Sequence, residues 1–184
     1  MVPMERRPAT PEEAKALANP LRLRILRLCL DEALTNKQLA ERLGRDPGTV
    51  LHHVRSLVAT GFLVPDEVRQ GEKGALEKPY RSTGKSWTLS VGDTAAEPAA
   101  SQAMLEAFLA ELAEAGPDAA AGFDRLALTL NPASREELET RVLAILDEFA
   151  ARPADPDGEP YGLFFAIHRR RRQASGSGGV APRS

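Results

Sequence analysis

The chain has 184 residues, 42% hydrophobic and 27% charged, which suits one folded domain or two small ones. Its single cysteine, Cys29, excludes a disulfide framework and any multi-cysteine zinc module within the chain, and no apolar run approaches the roughly 20 residues of a membrane helix. The net charge of −2 hides a segregation: residues 1–90 carry 15 Lys and Arg against 11 Asp and Glu, residues 91–163 carry 4 against 15, and residues 164–184 carry 5 against none. Two modules with different partners are expected. The opening MVPMERRPATPEE lacks the apolar stretch of a secretory signal, so a cytoplasmic protein is expected.

A loose, disordered arm over residues 1–10 leads to a first helix, predicted to start at the N-cap Thr10 with Pro11, Glu12 and Glu13 in its first turn. It ends before Pro20, which opens a second helix. There Leu21, Ile25 and Leu28 recur at helical spacing, and Arg22, Arg24 and Arg27 fall outside the stripe as a solvated face. Thr35 caps a short third helix with Leu39 and Leu43 inward and Gly44 at its end. Asp46 and Pro47 start a fourth helix, PGTVLHHVRSLVAT, which Gly61 terminates. Val50, Val54, Leu57 and Val58 share one of its faces. Thr49, His52, Arg55 and Ser56 lie toward the other, with His53 between. GFLV is a short strand-type run, DEVRQGEKGALEK a polar turn, and PYRSTGKSWTL a returning run of strand formers.

Residues 91–100 lack periodicity and read as a linker. The stretch 101–115 is helical, with Leu105, Phe108, Leu109 and Leu112 on one stripe, stopped by Gly116 and Pro117. FDRLALTL alternates Leu126, Leu128 and Leu130 with Arg125, Ala127 and Thr129, the period of a half-buried strand. A long helix follows Asn131 and Pro132, with Leu138, Val142, Ile145, Leu146 and Phe149 inward. PYGLFFAIH is a second expected strand with Leu163, Phe165 and Ile167 on one face. Residues 169–184 cannot bury a core and read as a disordered tail. The expected class is therefore α+β. A winged helix-turn-helix domain occupies 11–90, and a smaller C-terminal α/β (helix–strand–helix–strand) domain for dimerisation or effector binding occupies 101–168.

Short helices, a tight Gly44–Pro47 turn, a fourth helix and a β-hairpin together fit a winged helix-turn-helix, in which a short helix braces one that protrudes into a DNA major groove. Gly48 leaves room for phosphate and for the helix N-terminal N–H groups to meet an anion. Thr49, His52 and Arg55 offer hydroxyl, imidazole and guanidinium to base edges or phosphates. Arg69, Lys73 and Lys78 lie along the wing, where each cation bound to phosphate would release counterions. Lys37, Gln38, Arg45 and His53 complete the candidate DNA contacts, although His53 reads first as packed or bonded to backbone.

Here LANPLRLRILRLC, TNKQLAERLGRDPGTVLHHVRSLVATGFL and KPYRSTGKSW resemble the ArsR-type winged helix regulators of bacteria. The likeness covers roughly residues 11–90 and is nearest to an ArsR-like branch, common in actinobacteria, that carries an extra C-terminal domain. It implies a homodimeric transcription factor on a partly palindromic double-stranded operator, and such a protein is expected to repress by occupying a promoter. Metal-sensing members often pair cysteines in the third helix, which has none here, so neither a metal nor another cofactor is expected. A small-molecule effector stays open and unidentified, and no membrane partner is expected. Cys29 reads as a small core residue, and Trp87 as core or interface filling. No nucleophile elbow, P-loop or dinucleotide fingerprint points to an enzyme. The alternative is a winged protein-interaction module that does not bind DNA.

Overall fold

Each of the first four helices begins where its sequence places a cap. The computed structural model describes residues 4–71, 74–92, 94–116, 122, 124 and 126–170. Its elements are, in order, β1 (Arg7–Pro8), α1 (Pro11–Leu17), α2 (Pro20–Asp31), β2 (Leu34–Thr35), α3 (Asn36–Leu43), α4 (Pro47–Ala59), β3 (Leu63–Pro65), β4 (Arg69–Gln70), β5 (Leu76–Glu77), β6 (Pro79–Ser82), a 3-10 turn (Lys85–Thr88), β7 (Leu89–Ser90), α5 (Glu97–Ala115) and α6 (Pro132–Ala150). Thr10 and Glu13 form a capping box on α1, and Thr35 and Gln38 form one on α3. Asn19 and Asp46 cap α2 and α4 by accepting from Arg22 N and Thr49 N. These side chains satisfy amides that a helix start leaves without an internal partner.

The apolar faces of α1–α4 close on one core: Leu17, Ile25, Leu34, Leu39, Val50, Val54, Leu57, Phe62 and Leu63 are buried. Cys29 lies among them. Burial pushes its thiol up to about 11, so it is protonated at neutral pH and serves as a small packing residue. Gly44 ends α3 at φ +59°, and a Cβ there would meet no atom within 4 Å. Strain in the left-handed backbone is thus the only cost of adding one. Gly44→Ala is expected to lose about 1–2 kcal/mol, read as a lower urea midpoint with unchanged slope.

A three-stranded antiparallel sheet in the order β2-β6-β3 flanks this core, with Leu34 opposite Tyr80 and Val64 opposite Arg81. Beyond it β4 and β5 form the wing, with Arg69 opposite Glu77. The returning run is less continuous than its composition suggests. Its strand stops at Ser82, and Gly84 at φ +70° then turns the chain into the 3-10 turn before β7. The arm is also more ordered than expected. Arg7 and Pro8 pair in parallel with Leu89 and Ser90, and Ala9 is buried. Local composition could not show this, because the ordering comes from a strand eighty residues away.

The second half departs further from expectation. α5 starts at Glu97, inside the stretch read as linker, because Pro98 in the first turn and the following alanines favour helix. Ala100, Ala103 and Ala107 are buried, and α5 packs against α1 and α2. Leu105 and Leu109 stay exposed. On α6 the expected inward face is uncovered at Ile145 and Phe149, and Ala144 is the buried residue. Neither expected C-terminal strand forms among the described residues, 126–130 and 160–168. Alternation makes a segment amphipathic, but a strand also needs a neighbour for its backbone groups, and here none is paired. Phe123 and Arg125 of the first segment, and 171–184 of the expected tail, lie outside the described residues. No helix among the described residues is long and apolar enough to cross a membrane.

Candidate nucleic-acid interface

The turn from Gly44 to Asp46 joins α3 to α4, and the Asn36 side-chain amide donates to the Pro47 carbonyl at 2.9 Å, tying the two helix starts together. With Val50, Val54 and Leu57 buried, the outward surface of α4 is determined. Gly48, Thr49, His52 and Arg55 are all exposed. Residues 48, 52 and 55 recur at helical spacing, so these side chains line one face of a 13-residue helix about 20 Å long. Arg45 is exposed in the turn just before it.

The N-terminal end of α4 is less open to an anion than its sequence suggests. Asp46 Oδ2 accepts from Thr49 N at 2.9 Å and lies 3.4 Å from Thr49 Oγ1. Val50 N donates to the Asp46 carbonyl, and Pro47 has no N–H. Gly48 N–H is thus the first-turn amide left for a phosphate. A Cβ at Gly48 would come within 3.0 Å of Asp46 Oδ2, so glycine there also preserves the cap.

The other expected contacts divide into free and occupied groups. Lys37 is exposed and 3.8 Å from Glu41, and Arg69 pairs with Glu77 at 3.3 Å, leaving Arg45, Arg55 and Lys78 exposed without an ionic partner among the described residues. Gln38 is committed to the α3 capping box: its Oε1 accepts from Thr35 N at 2.9 Å. The same oxygen accepts from Arg69 at 3.2 Å, which brings the base of the wing beside α3. Lys73 lies outside the described residues.

His53 stands apart from the exposed face. It is half-buried, and its Nδ1 is buried without a partner. Burial, then the nearby Arg22 and His52, holds its pKa below the ordinary histidine value, so the ring is neutral at pH 7. Ser56, expected to face outward, instead accepts from Arg22 at 3.2 Å. The arginines of α2 are therefore not a solvated face. Arg22 also donates to the Lys15 carbonyl, Arg24 pairs with Glu114 on α5, and Arg27 donates to the Tyr161 carbonyl at 2.9 Å. The acidic α5 covers part of what sequence reads as a basic surface.

Two clusters that hold the 3-10 turn in place have no local sequence signal. Glu13 is buried and holds Arg7 at 2.7 Å and Lys85 at 2.6 Å, and Lys85 also donates to the Thr60 carbonyl at the end of α4. Asp147 on α6 accepts from Met4 N at 2.8 Å, Arg6 Nη2 at 2.8 Å and Trp87 Nε1 at 3.0 Å, while Arg6 lies 4.5 Å over the Trp87 ring. Trp87 is thus 39% exposed interface filling between the 3-10 turn and α6 rather than core.

Residues 17–65, from the last residue of α1 to the last of β3, match a family described as a helix-turn-helix domain. The chain therefore contains a helix-turn-helix domain, which β3–β6 extend into a winged form. No curated protein matches the chain. Among solved structures, reduced HlyU from Vibrio cholerae is 23% identical over 52% of this chain and 81% of that one, with a TM-score of 0.33. The winged helix-turn-helix domain of Mb0332 from Mycobacterium bovis, a homodimeric DNA-binding fragment described as a possible ArsR-family transcriptional regulator, is 23% identical over 56% and 80%, with a TM-score of 0.30. A mutant of Lactococcus lactis ZitR in apo form is 18% identical over 74% and 86%, with a TM-score of 0.32. At these TM-scores none of the three carries the assignment; the order of elements and the match over 17–65 do.

Proposed function

We propose that the protein is a sequence-specific DNA-binding transcriptional regulator, a homodimeric repressor of the ArsR-like kind with a C-terminal extension. The reading rests on one observation: α4 exposes Gly48, Thr49, His52 and Arg55 on one face while α3 and the core hold its other side. Two such helices, one per copy, enter successive major grooves of a palindromic operator about one helical turn apart. Thr49 and His52 meet base edges near the start of the helix. Arg55 reaches guanine or phosphate, and Arg45 and Lys78 rest on the backbone. The acidic stretch 91–163, which a duplex repels, serves dimerisation and effector response.

Fluorescence-anisotropy titration of the full chain with duplexes from the region upstream of its gene tests this reading. Sequence-dependent binding is expected, with log affinity falling against log salt at a slope of about −4 if Arg45 and Lys78 of two copies each neutralise one phosphate. Equal affinity for every duplex, or no salt dependence, contradicts it.

A further inference from the structure

We propose that residues 159–169 of two copies pair as antiparallel strands about Phe164, an inference that rests on the homodimer reading above and names its C-terminal contact. Leu163, Phe165 and Ile167 alternate along a segment with no strand partner among the described residues, and all three are exposed, Leu163 by 71%. One side of the segment is already tied to its own chain. The Tyr161 carbonyl accepts from Arg27 at 2.9 Å, and the Phe164 ring stacks on Phe108 of α5 at 5.1 Å. In a strand alternate residues direct their N–H and C=O groups to opposite edges. With the Tyr161 edge committed to Arg27, the edge formed by Gly162, Phe164 and Ala166 is the one left to pair.

Charge selects the occupant of that edge. The segment carries Glu159 before its apolar stretch and Arg169 after it. Antiparallel pairing about Phe164 sets Glu159 of one copy opposite Arg169 of the other, twice by symmetry. It also sets Leu163 opposite Phe165 and Tyr161 opposite Ile167. These are the closely spaced pairs of an antiparallel ladder when Phe164, Gly162 and Ala166 make the hydrogen bonds. Parallel pairing would instead stack Arg169 on Arg169. Residues 123–130, the other segment of strand period, carry both their charges, Asp124 and Arg125, at one end, so they cannot meet Glu159 and Arg169 together. The strand that complements this segment is its own reverse, supplied by a second copy of the chain.

Sedimentation equilibrium of the full chain without DNA tests the pairing. Glu159→Arg and Arg169→Glu should each weaken the dimer about tenfold by placing like charges opposite each other. The double variant should return to within about threefold of the wild type. Ala166→Pro, which removes one N–H from the pairing edge, should also weaken it. A dimeric wild type with silent single variants, or a double variant that does not recover, overturns the pairing and leaves DNA binding untouched. A monomeric wild type overturns both the pairing and the homodimer reading.

Discussion

Arg55→Ala is expected to weaken operator binding by about 1–3 kcal/mol, roughly 5- to 150-fold, for each half-site, with little change in folding stability. Arg55 is exposed and has no ionic partner among the described residues, so its removal leaves no buried group unsatisfied. Side-by-side titrations on the operator and on a scrambled duplex distinguish its two possible roles. A base contact lowers affinity for the operator more than for the scrambled sequence. A phosphate contact lowers both equally and reduces the salt slope by about 2, one for each copy. Unchanged affinity for both duplexes would remove Arg55 from the interface. An equal loss produced by unfolding is detected by the melting curve.

Glu13→Gln is expected to cost about 2–4 kcal/mol of folding stability and to flatten its acid dependence. The carboxylate is 6% exposed and accepts from Thr10 N at 2.9 Å, from Arg7 at 2.7 and 2.8 Å, and from Lys85 at 2.6 Å. Arg7 is half exposed and its share is screened by water; Lys85, more deeply placed, is the partner left most exposed to the loss. The hydrogen bond with Arg7 is the largest influence holding the Glu13 carboxyl well below the usual range, with Lys85 and the Thr10 amide adding to it against the cost of burial. A carboxyl depressed by folding contributes stability above its unfolded pKa, about 4.3, and loses that contribution as pH falls through this value toward the folded one. Urea midpoints from pH 7 to pH 3 should therefore fall for the wild type and fall less for Glu13→Gln. Parallel curves would contradict the assignment. Because Lys85 also bonds the Thr60 carbonyl, the variant should loosen the 3-10 turn against the end of α4.

The helix-turn-helix was legible because its information is local. Thr10, Thr35 and Asp46 cap the helices they precede, and Gly44 turns left-handed where the third helix must end. A buried stripe at Val50, Val54 and Leu57 fixes by subtraction which face of α4 is outward. What sequence could not show depends on partners far along the chain. The arm is ordered by Leu89 and Ser90, and the arginines of α2 are taken up by Ser56, Glu114 and Tyr161. Asp147 gathers groups from residues 4, 6 and 87. Periodicity misled most in the second half. Alternating leucines at 126–130 and the apolar face of 161–167 record amphipathicity, whereas a strand needs a ladder partner that a period cannot name. Ala100, Ala103 and Ala107 of α5 turned inward and Leu105 and Leu109 outward, because close packing against α1 and α2 favours small side chains.

Selection of bound sequences from a pool of random duplexes, with the full chain as bait, tests most directly that α4 reads DNA. An inverted repeat should emerge with half-sites centred 10–10.5 base pairs apart, and the Arg55→Ala protein should lose the preference at one position in each half-site or bind uniformly more weakly. A pool that remains random after repeated rounds at moderate salt would contradict an α4 that enters the major groove.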